Sequence, residues 1–283
     1  TDHPYDDRIR DEHDGRGRTV AIRRLRGRPQ LDSGPRPHRP TPRPGEPHPA
    51  RRRSPAPHLA DARERELRDA RVLGTTLLAE ALAGLDVPPR ALISGSAIGY
   101  YGDRGDEELT EQSAPGSDFL AALCVAWEAA AEPAAAAGIR VARIRTGIVL
   151  APGGGALEKI LPRYKLGLGG RMGSGKQYWS WITLEDEVRA IRHLLDGNVS
   201  GPVNLTAPEP ETNQSLTTTL GEVLHRPTIF PVPRFGPKIL LGGEATETFL
   251  YASQRVFPRV LEADGFEFSH PDLESGLRAM LGK

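Results

Sequence analysis

Residues 1–58 hold too few apolar side chains to build a core. Their only Leu, Ile, Val or Phe residues are Ile9, Val20, Ile22, Leu25 and Leu31. That is about 9% of the segment, against the roughly 20% below which chains tend to stay unfolded. Ordering a backbone costs about 1–2 kcal/mol per residue, and so little apolar surface cannot offset it. The stretch is therefore expected to be disordered. It also carries 14 Arg, no Lys and 8 acidic residues, a net charge of +6, with 11 of the 26 Pro. The whole chain is neutral, with 37 basic and 37 acidic groups, so residues 59–283 must carry a net −6.

Two readings of the segment stay open. A basic arm would bind nucleic acid through counterion release, and Arg51-Arg52-Arg53 is its densest charge. Tyr5 is its only aromatic residue, however, and Asp2, Asp6, Asp7, Asp11 and Asp14 dilute its front end. Nucleic acid is not the expected partner. The other reading is sequence never selected to fold, either a tail or an out-of-frame translation of a G+C-rich gene. Arg outnumbers Lys 32 to 5 over the chain.

The 283 residues suffice for a real core. The single cysteine, Cys124, cannot form an intrachain disulfide, and no Cys/His cluster has metal-ligand spacing. No apolar run is expected to approach the roughly 18 residues of a membrane span, and there is no apolar signal-peptide core. A cytoplasmic protein without a membrane partner is the expectation.

From residue 59 the pattern alternates. Helical spacing runs from Asp61 to Leu85, and a short buried strand, 91–94, follows Pro88-Pro89. Ser117-Asp118 caps a helix whose apolar face is Phe119, Leu120, Leu123, Cys124 and Trp127. Residues 139–150 read as one strand. Helix, strand, helix, strand with short turns is the rhythm of a parallel α/β sheet. Beyond it, helices are expected at 156–166, 184–195, 213–224 and 271–281. Strands are expected at 178–182 and 203–205, a glycine-rich loop at 167–175 and an extended stretch at 227–237.

Gly170 to Lys176 satisfies the G-x-x-x-x-G-K phosphate-loop pattern, yet Gln177 stands where Ser or Thr would hold Mg²⁺. A strand, not a helix, is expected after it. A substrate-facing loop is the better reading. Ser96 lies in no G-x-S-x-G elbow, which weakens a serine-hydrolase reading, and His193 reads as solvated. Cys124 lies on an apolar helix face and reads as a buried, inert thiol.

The strongest signal is the order of several short motifs. Arg71-Val72-Leu73-Gly74-Thr75 opens the series. Ser96-Ala97-Ile98-Gly99-Tyr100-Tyr101-Gly102, Phe119-Leu120-Ala121 through Trp127-Glu128, and Arg145-Thr146-Gly147-Ile148-Val149-Leu150 follow. Trp181-Ile182-Thr183 and Pro202-Val203-Asn204-Leu205 come next, then Gln254-Arg255-Val256 with Gly265-Phe266. This series resembles the second half of an extended short-chain dehydrogenase/reductase. More narrowly, it is similar to the atypical branch of NAD-dependent epimerase/dehydratase, cell-division-inhibitor-like proteins. The resemblance runs from about residue 60 to the end.

It implies an α/β fold: an incomplete Rossmann-like, doubly wound parallel sheet with a small α/β C-terminal substrate domain and a disordered N-terminus. The expected divisions are a disordered Arg/Pro-rich segment (1–58), a partial Rossmann-like domain (59–150) and a substrate region (151–283), of which 178–206 returns to the sheet. The implied cofactor is NAD(P), with NADP the expected form. The implied partner is a small polar or nucleotide-linked substrate, and a homodimer is the expected assembly. By resemblance, Ser96 occupies the catalytic Ser/Thr position, while Glu66, Arg71 and Val149 lie along the dinucleotide. Arg145, Gln177 and Trp181 are expected to line the substrate pocket.

Two departures qualify this. Counting back from Glu128, Leu120 and Cys124 stand where the superfamily's Y-x-x-x-K pair moves protons, so Tyr100 or Tyr101 is the candidate acid. The atypical branch shares that loss. Nothing in residues 1–58 is a strand followed by a glycine-rich pyrophosphate turn either. A reading-frame change upstream of about residue 60 would explain both that gap and the Arg/Pro-rich composition, and would impair cofactor binding. The alternative function is a non-catalytic nucleotide-binding regulator derived from the same fold.

Overall fold

Helix α1 (Leu59–Ala83) leads into strand β1 (Ala91–Ala97), a 3-10 turn over Ile98–Tyr101 and the short β2 (Glu108–Leu109). This computed structural model describes residues 59–229 and 251–283, with side chains from residue 64. The segment expected to be disordered, and residues 230–237 of the expected extended stretch, lie outside the described residues. The chain divides into two units, 1–53 and 54–283, and every described residue belongs to the second.

Helices α2 (Phe119–Ala129) and α3 (Glu132–Ala136) precede strands β3 (Arg140–Thr146) and β4 (Ile148–Leu150), then helix α4 (Gly155–Lys165). Strands β5 (Tyr178–Trp179) and β6 (Trp181–Thr183) run into α5 (Leu184–Asp196), β7 (Gly201–Leu205), β8 (Glu211–Thr212) and α6 (Asn213–Leu224). The chain closes with β9 (Arg255–Val256), α7 (Arg259–Ala263) and α8 (Leu273–Leu281).

The main sheet has the order β1-β3-β7, all parallel, with Ser96 opposite Arg145 and Arg145 opposite Asn204. Parallel strands need crossovers, and helices supply them on both faces. Ala142, Ile144, Val203 and Leu205 pack under Ala190 and Leu194 of α5. Val141 packs with Ala79 of α1 and Ala134 of α3 on the other side. A separate core gathers Leu157 and Leu161 of α4, Trp181 of β6 and Leu220 of α6.

Polar caps set where the helices start. The Asp118 carboxylate accepts from the Ala121 amide at 2.8 Å, opening α2. Thr183 Oγ1 accepts from the Asp186 amide, opening α5, and Thr212 does the same for the Ser215 amide at α6.

Three expectations need correction. The single strand at 139–150 is two, broken at Gly147. A Cβ there would stand 2.6 Å from the Ser180 carbonyl oxygen, and beyond that contact the chain changes partners, from β1 and β7 to β6. The aromatic strand at 178–182 likewise breaks at Ser180, so β5 pairs with β8 and β6 with β4. Among the described residues one window, Phe119–Ala136, is long and apolar enough by composition for a span, with mean hydropathy 1.3. The fold divides that window between α2 and α3, and α2 packs on β1 and the 3-10 turn.

Candidate functional site

The carboxyl ends of parallel strands are where doubly wound folds place their ligands. Here β1, β3 and β7 present Ser96, Arg145 and Asn204 in one transverse row. The alternation of a strand puts register-matched residues on the same face. All three side chains are buried, and a buried polar group needs a partner.

Those partners form one network. Ser96 Oγ donates to Glu128 Oε1 at 2.7 Å. Arg145 grips the same carboxylate twice, Nε to Oε1 at 2.8 Å and Nη2 to Oε2 at 3.0 Å. Bidentate Arg–carboxylate pairs are the stronger, orientation-fixing kind. Arg145 Nη1 donates to the Tyr101 hydroxyl at 3.0 Å, and that hydroxyl donates to Asn204 Oδ1 at 2.7 Å. The Asn204 amide N–H donates to Glu111 Oε1, and Asn204 Nδ2 donates to the Phe257 carbonyl.

Tyr100 is placed differently. Its ring lies 3.4 Å from the Arg145 guanidinium carbon, a cation–π contact, and edge-on to Tyr101. It is half-buried, and among the described residues its hydroxyl has no hydrogen-bond partner. Tyr101 is fully buried, both its hydrogen-bond directions are spent, and burial pushes its phenol up to about 12 despite Arg145. Of the two candidate acids, only Tyr100 has an uncommitted hydroxyl.

Cys124 is buried against Ser96 and the Ala97 amide. Burial, the largest cause, pushes its thiol up to about 11, which makes it a poor nucleophile. Glu187, in the first turn of α5, is a further buried acid. Its Oε1 accepts from Thr146 Oγ1 at 2.9 Å and its Oε2 has no partner; burial pushes it up to about 7.

The structure thus brings Ser96, Tyr100, Tyr101 and Arg145 together. It does not bring the other expected site residues into their network. Gln177 is buried and donates to the Met172 carbonyl, which pins the glycine-rich loop from inside. Trp181, expected at a pocket wall, is fully buried in the core, and its indole N–H donates to the Glu209 carbonyl. Val149 packs with the core cluster around Ile182. Glu66 is exposed, and Arg71 lies 5.4 Å from the Trp127 ring centroid and donates to the Leu67 carbonyl.

For a dinucleotide, the described residues that bear on the question lie at the carboxyl ends of the parallel strands. Ala97 and Thr146 end β1 and β3, and Gly147, packed against the Ser180 carbonyl, leads to Val149 on β4. The phosphate-loop pattern at 170–176 is followed by β5, and the described residues include no strand-to-helix glycine turn of the pyrophosphate-binding type. Among them, no group of three or more His, Cys, Asp or Glu side chains could hold a metal ion.

Sequence reasoning passed over Glu128, Asn204 and Glu111. Glu128 had a signal: it is the only charge in the apolar helix Phe119–Ala129, and a lone carboxylate there needs a buried partner. Asn204, between Val203 and Leu205 on a buried strand, had a similar one.

Residues 232–280 match a family described as a domain of unknown function, DUF1731. Epimerase family protein Mb2239 of Mycobacterium bovis is 45% identical over 215 residues, covering 76% of this chain and 70% of the relative. The crystal structure of human epimerase family protein SDR39U1 (isoform 2), solved with NADPH, superposes with a TM-score of 0.72. It is 32% identical over 78% of this chain and 75% of that one. A nucleoside-diphosphate sugar epimerase from Corynebacterium glutamicum gives a TM-score of 0.65 at 36% identity, over 78% of this chain and 44% of its own. Sequence and fold agree: the chain belongs to the epimerase family of extended short-chain dehydrogenase/reductases.

Proposed function

We propose that this chain is an NAD(P)-dependent oxidoreductase or epimerase that takes NADPH and acts on a small nucleotide-linked sugar. The observation that carries the reading is the row Ser96–Arg145–Asn204 at the carboxyl ends of three parallel strands, tied to Glu128 and Tyr101. The relative solved with NADPH supports the cofactor, and the nucleoside-diphosphate sugar epimerase supports the substrate class.

When bound, the dinucleotide supplies or accepts a hydride. The chain's own residues orient and protonate. Ser96 contacts the reacting substrate oxygen, and Tyr100, whose ring stacks on Arg145 and whose hydroxyl is free, holds or moves the proton at that oxygen. The permanent charge of Arg145 favours negative charge developing nearby in a dry site. Val149 sits toward the nicotinamide end, and Glu66 and Arg71 toward the rest of the dinucleotide. The protein works in the cytoplasm, as a homodimer.

Residues 1–58 carry no glycine fingerprint, and we propose that they weaken cofactor binding and arise from an out-of-frame reading of the gene. Fluorescence titration with NADPH tests the function. Micromolar binding, with turnover of a nucleotide sugar lost in Tyr100→Phe, is the expected result. Translating the coding DNA in the other two frames tests the origin of the segment. If no apolar strand with a glycine-rich turn emerges, the frame reading is wrong.

A further inference from the structure

Glu128 carries more of the site than a buried counter-ion would. Its side chain is 11% exposed and that of Arg145 3%, so the ion pair is held away from water. A hydroxyl has one proton to donate and lone pairs to accept with. The Ser96 proton is committed to Glu128 Oε1 at 2.7 Å, a charge-assisted bond to a carboxylate that Arg145 holds rigidly from its other side. What Ser96 can still offer a ligand is acceptor capacity.

We infer that Glu128, fixed by Arg145, is a positioning residue that turns Ser96 into a hydrogen-bond acceptor, so that the ligand group meeting Ser96 is a donor hydroxyl rather than a carbonyl. The inference rests on the proposed function and deepens it by specifying the redox state in which the substrate is held. The helix that carries Glu128 has Leu120 and Cys124 at the places of the absent Tyr and Lys. Cys124 is too buried and too weakly acidic to take over proton transfer. The ion pair one turn beyond Cys124 therefore sets the polarity of the site.

A pair of probes differing only at C4 tests this on the full chain: UDP-6-deoxyglucose, with a hydroxyl, and UDP-4-keto-6-deoxyglucose, with a carbonyl. Calorimetry is run on the cofactor-free chain, where neither probe can be turned over, and a separate NADPH titration reports on the cofactor reading independently. The wild type is expected to bind the hydroxyl probe at least about tenfold more tightly. Glu128→Leu removes the acceptor of the Ser96 proton and leaves that proton free for a ligand, so the preference should fall to within about twofold or reverse. Ser96→Ala leaves the ion pair intact and should also abolish the preference, which carries the test if Glu128→Leu does not fold. Ser96→Thr should retain it. Equal binding of the probes by the wild type, binding of neither, or a preference that survives Ser96→Ala or Glu128→Leu overturns the inference.

Discussion

Two glycines separate close packing from open space. A Cβ on Gly95 would stand 2.8 Å from Trp127 Cζ2, closer than any real side chain sits, whereas a Cβ on Gly74 would meet nothing within 4 Å. Gly95→Ala must push an anchored indole, since Trp127 Nε1 donates to Thr75 Oγ1, and overpacking of this kind costs about 1–3 kcal/mol. Gly74→Ala, inside α1, should instead stabilise by about 0.5–1 kcal/mol by restricting the unfolded chain. Chemical denaturation of the two variants checks both signs. At the same scale, Glu187 links stability to pH. Burial raises its folded value to about 7 from an ordinary 4.5 in the unfolded chain. The folded state therefore holds a proton that the unfolded state has lost, and stability falls as pH rises from about 4.5 to 7. Each unit of such a difference is about 1.4 kcal/mol, so the loss is on the order of 3–4 kcal/mol. Glu187→Gln should flatten the slope across that window and be the more stable protein at pH 8, read by melting temperature against pH.

Elements differ in how openly the sequence declares them. Helix α6 follows its expected bounds of 213–224, and α1 shifts by only two residues at each end, because 3.6-residue periodicity and polar caps are local signals. The β3/β4 and β5/β6 breaks are not local. They arise at Gly147 and Ser180, where one backbone presses on the other, and Gly147 resembles any strand residue until its neighbour is known. The site was half legible for the same reason. Ser96, Tyr101 and Arg145 were legible as site residues, whereas Glu128 and Asn204, though inside quoted motifs, join them only once β1, β3, β7 and α2 are assembled. The caps make element-level behaviour testable. Asp118→Ala removes the acceptor for the Ala121 amide and should cost about 1 kcal/mol. Helix α2 carries Glu128, so Asp118→Ala should also loosen the Ser96 contact, seen as faster hydrogen exchange in 119–123 with little change in α6.

Across the whole folded unit, the C-terminal segment is stitched to residues more than 140 positions earlier. Gln254 Nε2 donates to the Ile98 carbonyl, the Ser253 amide donates to Asp103, and β9 pairs with β2. Glu111 closes the stitch: its Oε1 accepts from the amides of Asn204 on β7 and Val260 on α7, while its carbonyl accepts from Arg145. One buried carboxylate thus joins the main sheet, the site and the segment within 232–280 that matches the domain of unknown function. Such long-range closure gives a single cooperative core rather than a separable C-terminal piece, since removing one partner leaves buried amides unsatisfied. Glu111→Ala should cost about 2–4 kcal/mol, in one unfolding transition that still includes α8. Glu111→Gln keeps an acceptor oxygen for the two amides but loses the charge, and should cost about half as much. Hydrogen exchange gives the decisive reading. If Glu111 couples the segments, the Asn204 and Val260 amides accelerate together in both variants; acceleration at only one of them would show that the two contacts are independent.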